Sequence, residues 1–119
     1  MAGTLVIDTL NASSGPLQTN NGMSGIAKAW VNYNSSATTI TASWNVSSVT
    51  YNSTGLFTIN FSTAMPDTAY CVVSAASYVG GTGSPSLMPQ SLTTGNVVMN
   101  LGYGTGNYNT GINCVAIHR

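Results

Sequence analysis

Hydrophobic and polar residues alternate along this chain with the period of two that a pleated strand imposes, because successive side chains point to opposite faces of a sheet. The clearest run sets Phe57, Ile59 and Phe61 between Thr58, Asn60 and Ser62 and predicts a strand with one buried face. Just upstream, residues 45–51 continue a strand pattern, and residues 52–55 (NSTG) carry a turn signal with Gly55 available for a positive φ. A hairpin across residues 46–62 follows. Residues 26–34 (IAKAWVNYN) alternate so that Ala27, Ala29, Val31 and Tyr33 make the more consistently apolar face. Trp30, in the opposite phase, is expected at an interface or a sheet edge.

Residues 38–44 add a strand with Ile40, Ala42 and Trp44 in phase. Met65, Pro66 and Asp67 must then break the sheet, because Pro66 has no N–H donor and a fixed φ. Further strands are predicted at residues 69–78, at 96–101 through Val97, Met99 and Leu101, and at 112–118. Residues 80–90 are rich in Gly, Ser and Pro and read as a long loop, and residues 102–111 (GYGTGNYNTG) read as a second, flexible one. Near the start, residues 4–8 are a short β-branched stretch and residues 11–25 a polar linker or arm. The whole predicts an all-β chain: an antiparallel, jelly-roll-like β-sandwich over residues 26–119, with an extended N-terminal arm over residues 1–25.

Composition supports that class. The 119 residues suit one domain with a modest core. Lys28, Arg119, Asp8 and Asp67 are the only formally charged side chains, about 3% of the chain, and Glu is absent. Two cations cannot build a phosphate-binding patch, so nucleic acid is excluded as a partner. With zero net charge a lone domain is prone to associate, and part of the surface is expected in an oligomer. Met1 and its neighbours lack a basic n-region, residues 5–7 are too short for a signal-peptide core, and no apolar run is long enough for a membrane helix. The expectation is synthesis in a cytoplasm without membrane insertion. Cys71 and Cys114 each sit in an apolar strand pattern and read as buried thiols rather than a disulfide.

Little chemistry is legible. A two-carboxylate glycosidase needs paired acids, and only Asp8 and Asp67 exist, the latter a turn residue beside Pro66. A Ser-His-Asp arrangement would have to use His118, the penultimate residue, and no G-x-S-x-G elbow is present. Two cysteines and one histidine lack metal-ligand spacing. The expectation is therefore no catalytic residue, no metal and no cofactor. N-x-S/T triplets at Asn11, Asn34, Asn45, Asn52 and Asn60 reflect an Asn- and Ser-rich composition. What remains is recognition: Tyr with Asn, Ser and Gly is the vocabulary of binding loops. Tyr103, Asn107, Tyr108 and Asn109, with Tyr78 at the mouth of the other loop, are candidates either to hold a sugar or to pack between subunits.

Residues 25–34 (GIAKAWVNYN), 42–50 (ASWNVSSVT), 57–73 (FTINFSTAMPDTAYCVV) and 114–119 (CVAIHR) resemble, in order, a module found at the C-terminal ends of tail-fibre and related structural proteins of tailed bacteriophages, many of them aquatic or cyanobacterial. The resemblance covers more than half of the chain. It implies a β-sandwich at the tip of a homotrimeric fibre, a virion location and a part in host attachment, with host glycan and other virion proteins, of tail or capsid, as partners. Two features depart from that pattern: the hairpin turn is NSTG rather than acidic, and His118 stands where an aromatic is usual. The module usually ends a longer fibre, whereas here Met1 stands only shortly before the matched stretch, so docking is expected through an arm carrying Leu5, Val6, Ile7 and Leu10. Capsid decoration or a head fibre is the alternative, and a free lectin-like carbohydrate-binding module a third reading.

Overall fold

The computed structural model describes residue 3 and residues 9–12, 15–18, 26–77 and 84–119. All regular structure among them is β. Near the N-terminus, β1 (Thr9–Ala12) and β2 (Gly15–Gln18) pair with each other. The sandwich consists of β3 (Ala27–Asn34), β4 (Thr39–Trp44), β5 (Val46–Ser53), β6 (Leu56–Phe61), β7 (Cys71–Ala76), β8 (Ser86–Leu92), β9 (Asn96–Tyr103), the two-residue β10 (Gly106–Asn107) and β11 (Asn113–His118). One sheet has the order β4-β3-β11-β7; in the other, β9 lies between β8 and β6, and β5 borders β6. Every pairing is antiparallel. Because Gly102 faces Ser86 of β8 on one side and Asn107 of β10 on the other, β10 continues the line of β6 past the hairpin turn.

The two sheets meet through the alternation read from the sequence. Ala29, Val31, Tyr33, Val115 and Ile117 point inward from one layer, and Phe57, Ile59, Val97, Met99 and Leu101 from the other. Burying each large apolar side chain stabilises the fold by about 1.5–3 kcal/mol. Tyr33 and Phe57 touch across the layers with ring centroids 5.0 Å apart. Beyond the sheet break, Tyr70 closes one end: its ring meets Phe61 edge-on at 6.0 Å, and its hydroxyl donates to the carbonyls of Thr93 and Asn96.

The hairpin β5–β6 forms as the sequence predicts, with Gly55 at φ 69° in its turn. At the corner where the chain leaves β4 for β5, Asn45 adopts φ 53°. Its side chain donates to the carbonyls of Lys28 and Thr63 and accepts from the N–H of Thr63, binding the corner to both layers. Strand β11 lies between β3 and β7, so the C-terminal segment is tied into a sheet. At its start Asn113 is fully buried and donates to the Tyr33 carbonyl, the Ser35 hydroxyl and the Thr110 carbonyl, while accepting from the Thr110 hydroxyl.

Several expectations need correction. Residues 86–92 do not form a loop: they make β8, with Leu87 buried. Pro89 is tolerated because β8 is an edge strand and the register slips between Pro89 and Ser91, so no interior ladder bond is lost. Residues 102–111 are not a flexible loop either, since β9 runs on to Tyr103, β10 returns beside it, and Thr110 is buried. Cys71 and Cys114 are free thiols, as expected, but both are exposed, because they occupy the outward phase of β7 and β11. Ile40 leaves the phase of Ala42 and Trp44, because a register shift between Asn32 and Tyr33 sets it opposite Tyr33. Within the expected N-terminal arm, β1 and β2 pair antiparallel with each other.

A Cβ on Gly55 would collide with the Leu101 carbonyl oxygen and lie 2.9 Å from the Tyr108 nitrogen, in a conformation that L-residues resist. At Gly104, with φ 60°, an added Cβ would meet no described residue. Gly55→Ala should therefore lose about 2–4 kcal/mol in chemical denaturation, whereas Gly104→Asn should stay within about 1 kcal/mol of the parent.

Candidate functional site

The two outer faces of the sandwich differ in chemistry. On the β5–β6–β9–β8 sheet the outward positions are mostly hydroxyl and amide side chains that bond to each other across strands. Asn52 donates to Thr58 at 2.8 Å, and Asn60 donates to Ser48 at 3.0 Å and Thr50 at 3.1 Å. These ladders satisfy the polar groups locally and leave a hydrated surface.

At the β8–β9–β10 end of that face lies a polar groove of about 330 Å³, lined among others by Ser86, Met88, Asn100, Tyr103 and Asn107. Ser86 and Met88 alternate with buried Leu87, and Asn100 and Gly102 alternate with buried Leu101, so the pleat itself aims these side chains away from the core. The tight turn at Gly104 holds Tyr103 beside the groove, 49% exposed. Among the described residues, no formally charged side chain lines it. A half-exposed phenol ring flanked by amides and hydroxyls has the makings of a platform for a neutral, hydroxyl-rich ligand.

Of the residues singled out in the sequence, Tyr103 and Asn107 meet at this groove, and two others serve the fold. The Tyr108 ring covers Gly106, where an added Cβ would lie 3.0–3.2 Å from it, and the Tyr108 N–H donates to the Leu101 carbonyl. Asn109 accepts from the Gly55 N–H at 2.9 Å and donates to the Tyr51 hydroxyl at 3.3 Å. That second bond, with one from Thr54, holds the Tyr51 phenol below its ordinary pKa. Tyr78, Leu5, Val6 and Ile7 lie outside the described residues, and Leu10 belongs to β1. Asn100 and Ser86 carry no sequence signal of their own, because nothing local says that they share a face with Tyr103.

The opposite outer face, on the β4–β3–β11–β7 sheet, is mostly apolar, with Asn32 in its middle. Register places Trp44, Trp30, Ala116 and Val73 in one row across all four strands, with Ala42, Asn32, Cys114 and Ala75 in the next. Trp44 is 54% exposed, Trp30 40% and Val73 57%. Between the tryptophans and β7 runs an apolar groove of about 410 Å³ whose walls include Trp30, Val73, Ala75, Cys114 and Ala116. In the sequence, only Trp30 points to this surface.

Among the described residues, Asp67 and Arg119 form an ion pair. Asp67 accepts from the N–H of Ala69 at 2.8 Å, a turn contact, and receives both arms of the Arg119 guanidinium, Nε at 3.0 Å and Nη2 at 2.5 Å. Arg119 in the first place, and the Ala69 N–H in the second, hold the Asp67 carboxyl below its ordinary value. His118 faces Cys71 and Ala27 in the ladder, and Asp8 lies outside the described residues. Among the described residues no cluster of three or more metal-ligating side chains occurs, and no helix is long and apolar enough to cross a membrane. Comparison with protein-family models, with curated proteins and with solved structures returns no match.

Asn109→Ala should lower unfolding free energy by about 1–3 kcal/mol, because the half-buried Gly55 N–H loses its acceptor, while Tyr103→Ala should change it by less than about 0.5 kcal/mol. Since the folded-state pKa of Asp67 is depressed, its contribution is present at neutral pH and is lost as pH falls through the folded value. Melting curves from pH 7 to 2 should show a smaller acid loss in Asp67→Asn than in the parent.

Proposed function

We propose that this chain is a non-catalytic surface module of a tailed-bacteriophage virion that contacts a neutral glycan of the host through the Tyr103 groove. The observation that carries the binding part is the placement of a half-exposed tyrosine beside Asn100, Asn107 and Ser86 on an uncharged, outward-facing groove. Sugar rings stack their apolar faces on aromatic rings, and amides and hydroxyls match sugar hydroxyls at little desolvation cost. The virion part rests on the resemblance of the strand segments to phage fibre-tip modules. The all-β sandwich and the near absence of charge agree with it.

Fibre-tip attachment is favoured over head decoration by the same groove, because decoration calls for a surface fitted to the capsid and not for a ligand site facing outward. Particles of the phage that encodes the chain should contain it at the copy number of a tail appendage rather than of a capsid lattice. Phage carrying Tyr103→Ala with Asn107→Ala should assemble normally and adsorb at least tenfold more slowly. Particles that lack the chain would overturn the virion assignment, and unimpaired adsorption of the double variant would overturn the glycan site.

A further inference from the structure

We infer that the apolar outer face of the β4–β3–β11–β7 sheet is where a second copy of this chain docks, with the tryptophan half of each copy seated on the small-residue half of the other. This two-fold pairing concerns the purified chain and departs from the three-fold symmetry that the fibre-tip resemblance implies.

The face is divided lengthwise. On β4 and β3, Trp44 and Trp30 stand up from it; on β11 and β7, the facing positions are Ala116, Cys114, Ala75 and Val73, and the surface sinks into the groove. A two-fold axis running along the strands between β3 and β11 would carry β4 over β7 of the second copy, and β3 over its β11. Within the shared row, Trp44 of each copy then lies over Val73 of the other and Trp30 over Ala116. Ridges meet hollows twice, as an isologous interface requires. Two sheets so stacked sit about 10 Å apart, the spacing that interdigitated side chains fill in a sandwich core.

Charge permits the pairing. Neither row contains a formally charged side chain, so stacking these two rows desolvates none. Lys28, two residues before Trp30 on β3, shares its outward phase, and the two-fold sets the Lys28 of each copy in one row at the end of the interface. The area is also of the right order. About half of each indole is exposed, so four indoles contribute roughly 450–500 Å² of buried surface, about a third of the ~1,600 Å² in a standard specific interface. Val73 and the alanines around the groove add to this. A monomer would leave the whole surface wet, and an exposed apolar patch of this extent marks an interaction site.

Sedimentation or light scattering of the purified chain at tens of micromolar should give twice 12.2 kDa. Val73→Lys, in the groove, and Trp44→Lys, on the ridge, should each yield monomers with unchanged circular dichroism. Each substitutes an exposed side chain on the outer face and leaves the core intact. Cys114, in the groove wall, supplies a readout that needs no variant. In the unaltered chain its labelling by a thiol reagent should accelerate at least tenfold on dilution from the dimer to the monomer, with a small free thiol as the comparison. A monomeric parent chain, an oligomer that both lysine variants leave intact, or Cys114 labelling insensitive to dilution would overturn the inference. A mass of three times 12.2 kDa that the variants dissociate would keep the docking surface and overturn the two-fold pairing.

Discussion

Strand β11, between β3 and β7, is what joins the two parts of one layer of the sandwich. Residues about eighty positions apart, such as Asn113 and Tyr33, must find each other for that four-stranded sheet to be completed. Once they do, Val115 and Ile117 supply the middle of one core layer, and Asn113 ties the buried turn at Ser35 to Thr110. The outer phase of the same strand supplies Cys114 and Ala116 to the apolar groove. One strand thus sets core, corner and surface together. Contacts this distant in sequence make folding slower than local ones would, since loop closure precedes any gain from pairing.

The two outer faces follow different rules because water treats them differently. On the β5–β6–β9–β8 sheet the side chains can bond to one another and to solvent, and the Asn52–Thr58 and Asn60–Ser48 pairs show that bonding. On the β4–β3–β11–β7 sheet, tryptophan, valine, alanine and cysteine offer water almost nothing to bond. A chain with four charged residues cannot disperse such a face by electrostatic repulsion, and the composition and the sheet therefore point the same way. The proposed self-association on one face and hydroxyl-rich ligand on the other follow this chemical boundary.

Much of the fold is legible in the residues themselves, and the reasons are local. Phe57, Ile59 and Phe61, and likewise Val97, Met99 and Leu101, announce strands with a buried face, and Gly55 announces the turn between β5 and β6. The segment after β9 reads ambiguously because glycine and asparagine suit a tight hairpin as well as a flexible loop. Tyr108 and Asn109 resemble ligand contacts because tyrosine and asparagine serve buttressing and recognition with the same atoms. Only the position of Gly55, fifty-four residues from Asn109, decides between the two.

Period-two alternation, β-branched residues and Gly/Asn turns point to the strands found among the described residues, and for these the chain's own residues suffice. Which side of each strand is covered is a matter of tertiary structure. Alternation distinguishes two faces but does not say which of them meets another sheet when both are apolar, as on β3, β7 and β11. Pairing between distant strands settles that, and with it the exposure of Cys71 and Cys114, the survival of β8 despite Pro89, and the row of Trp44, Trp30, Ala116 and Val73.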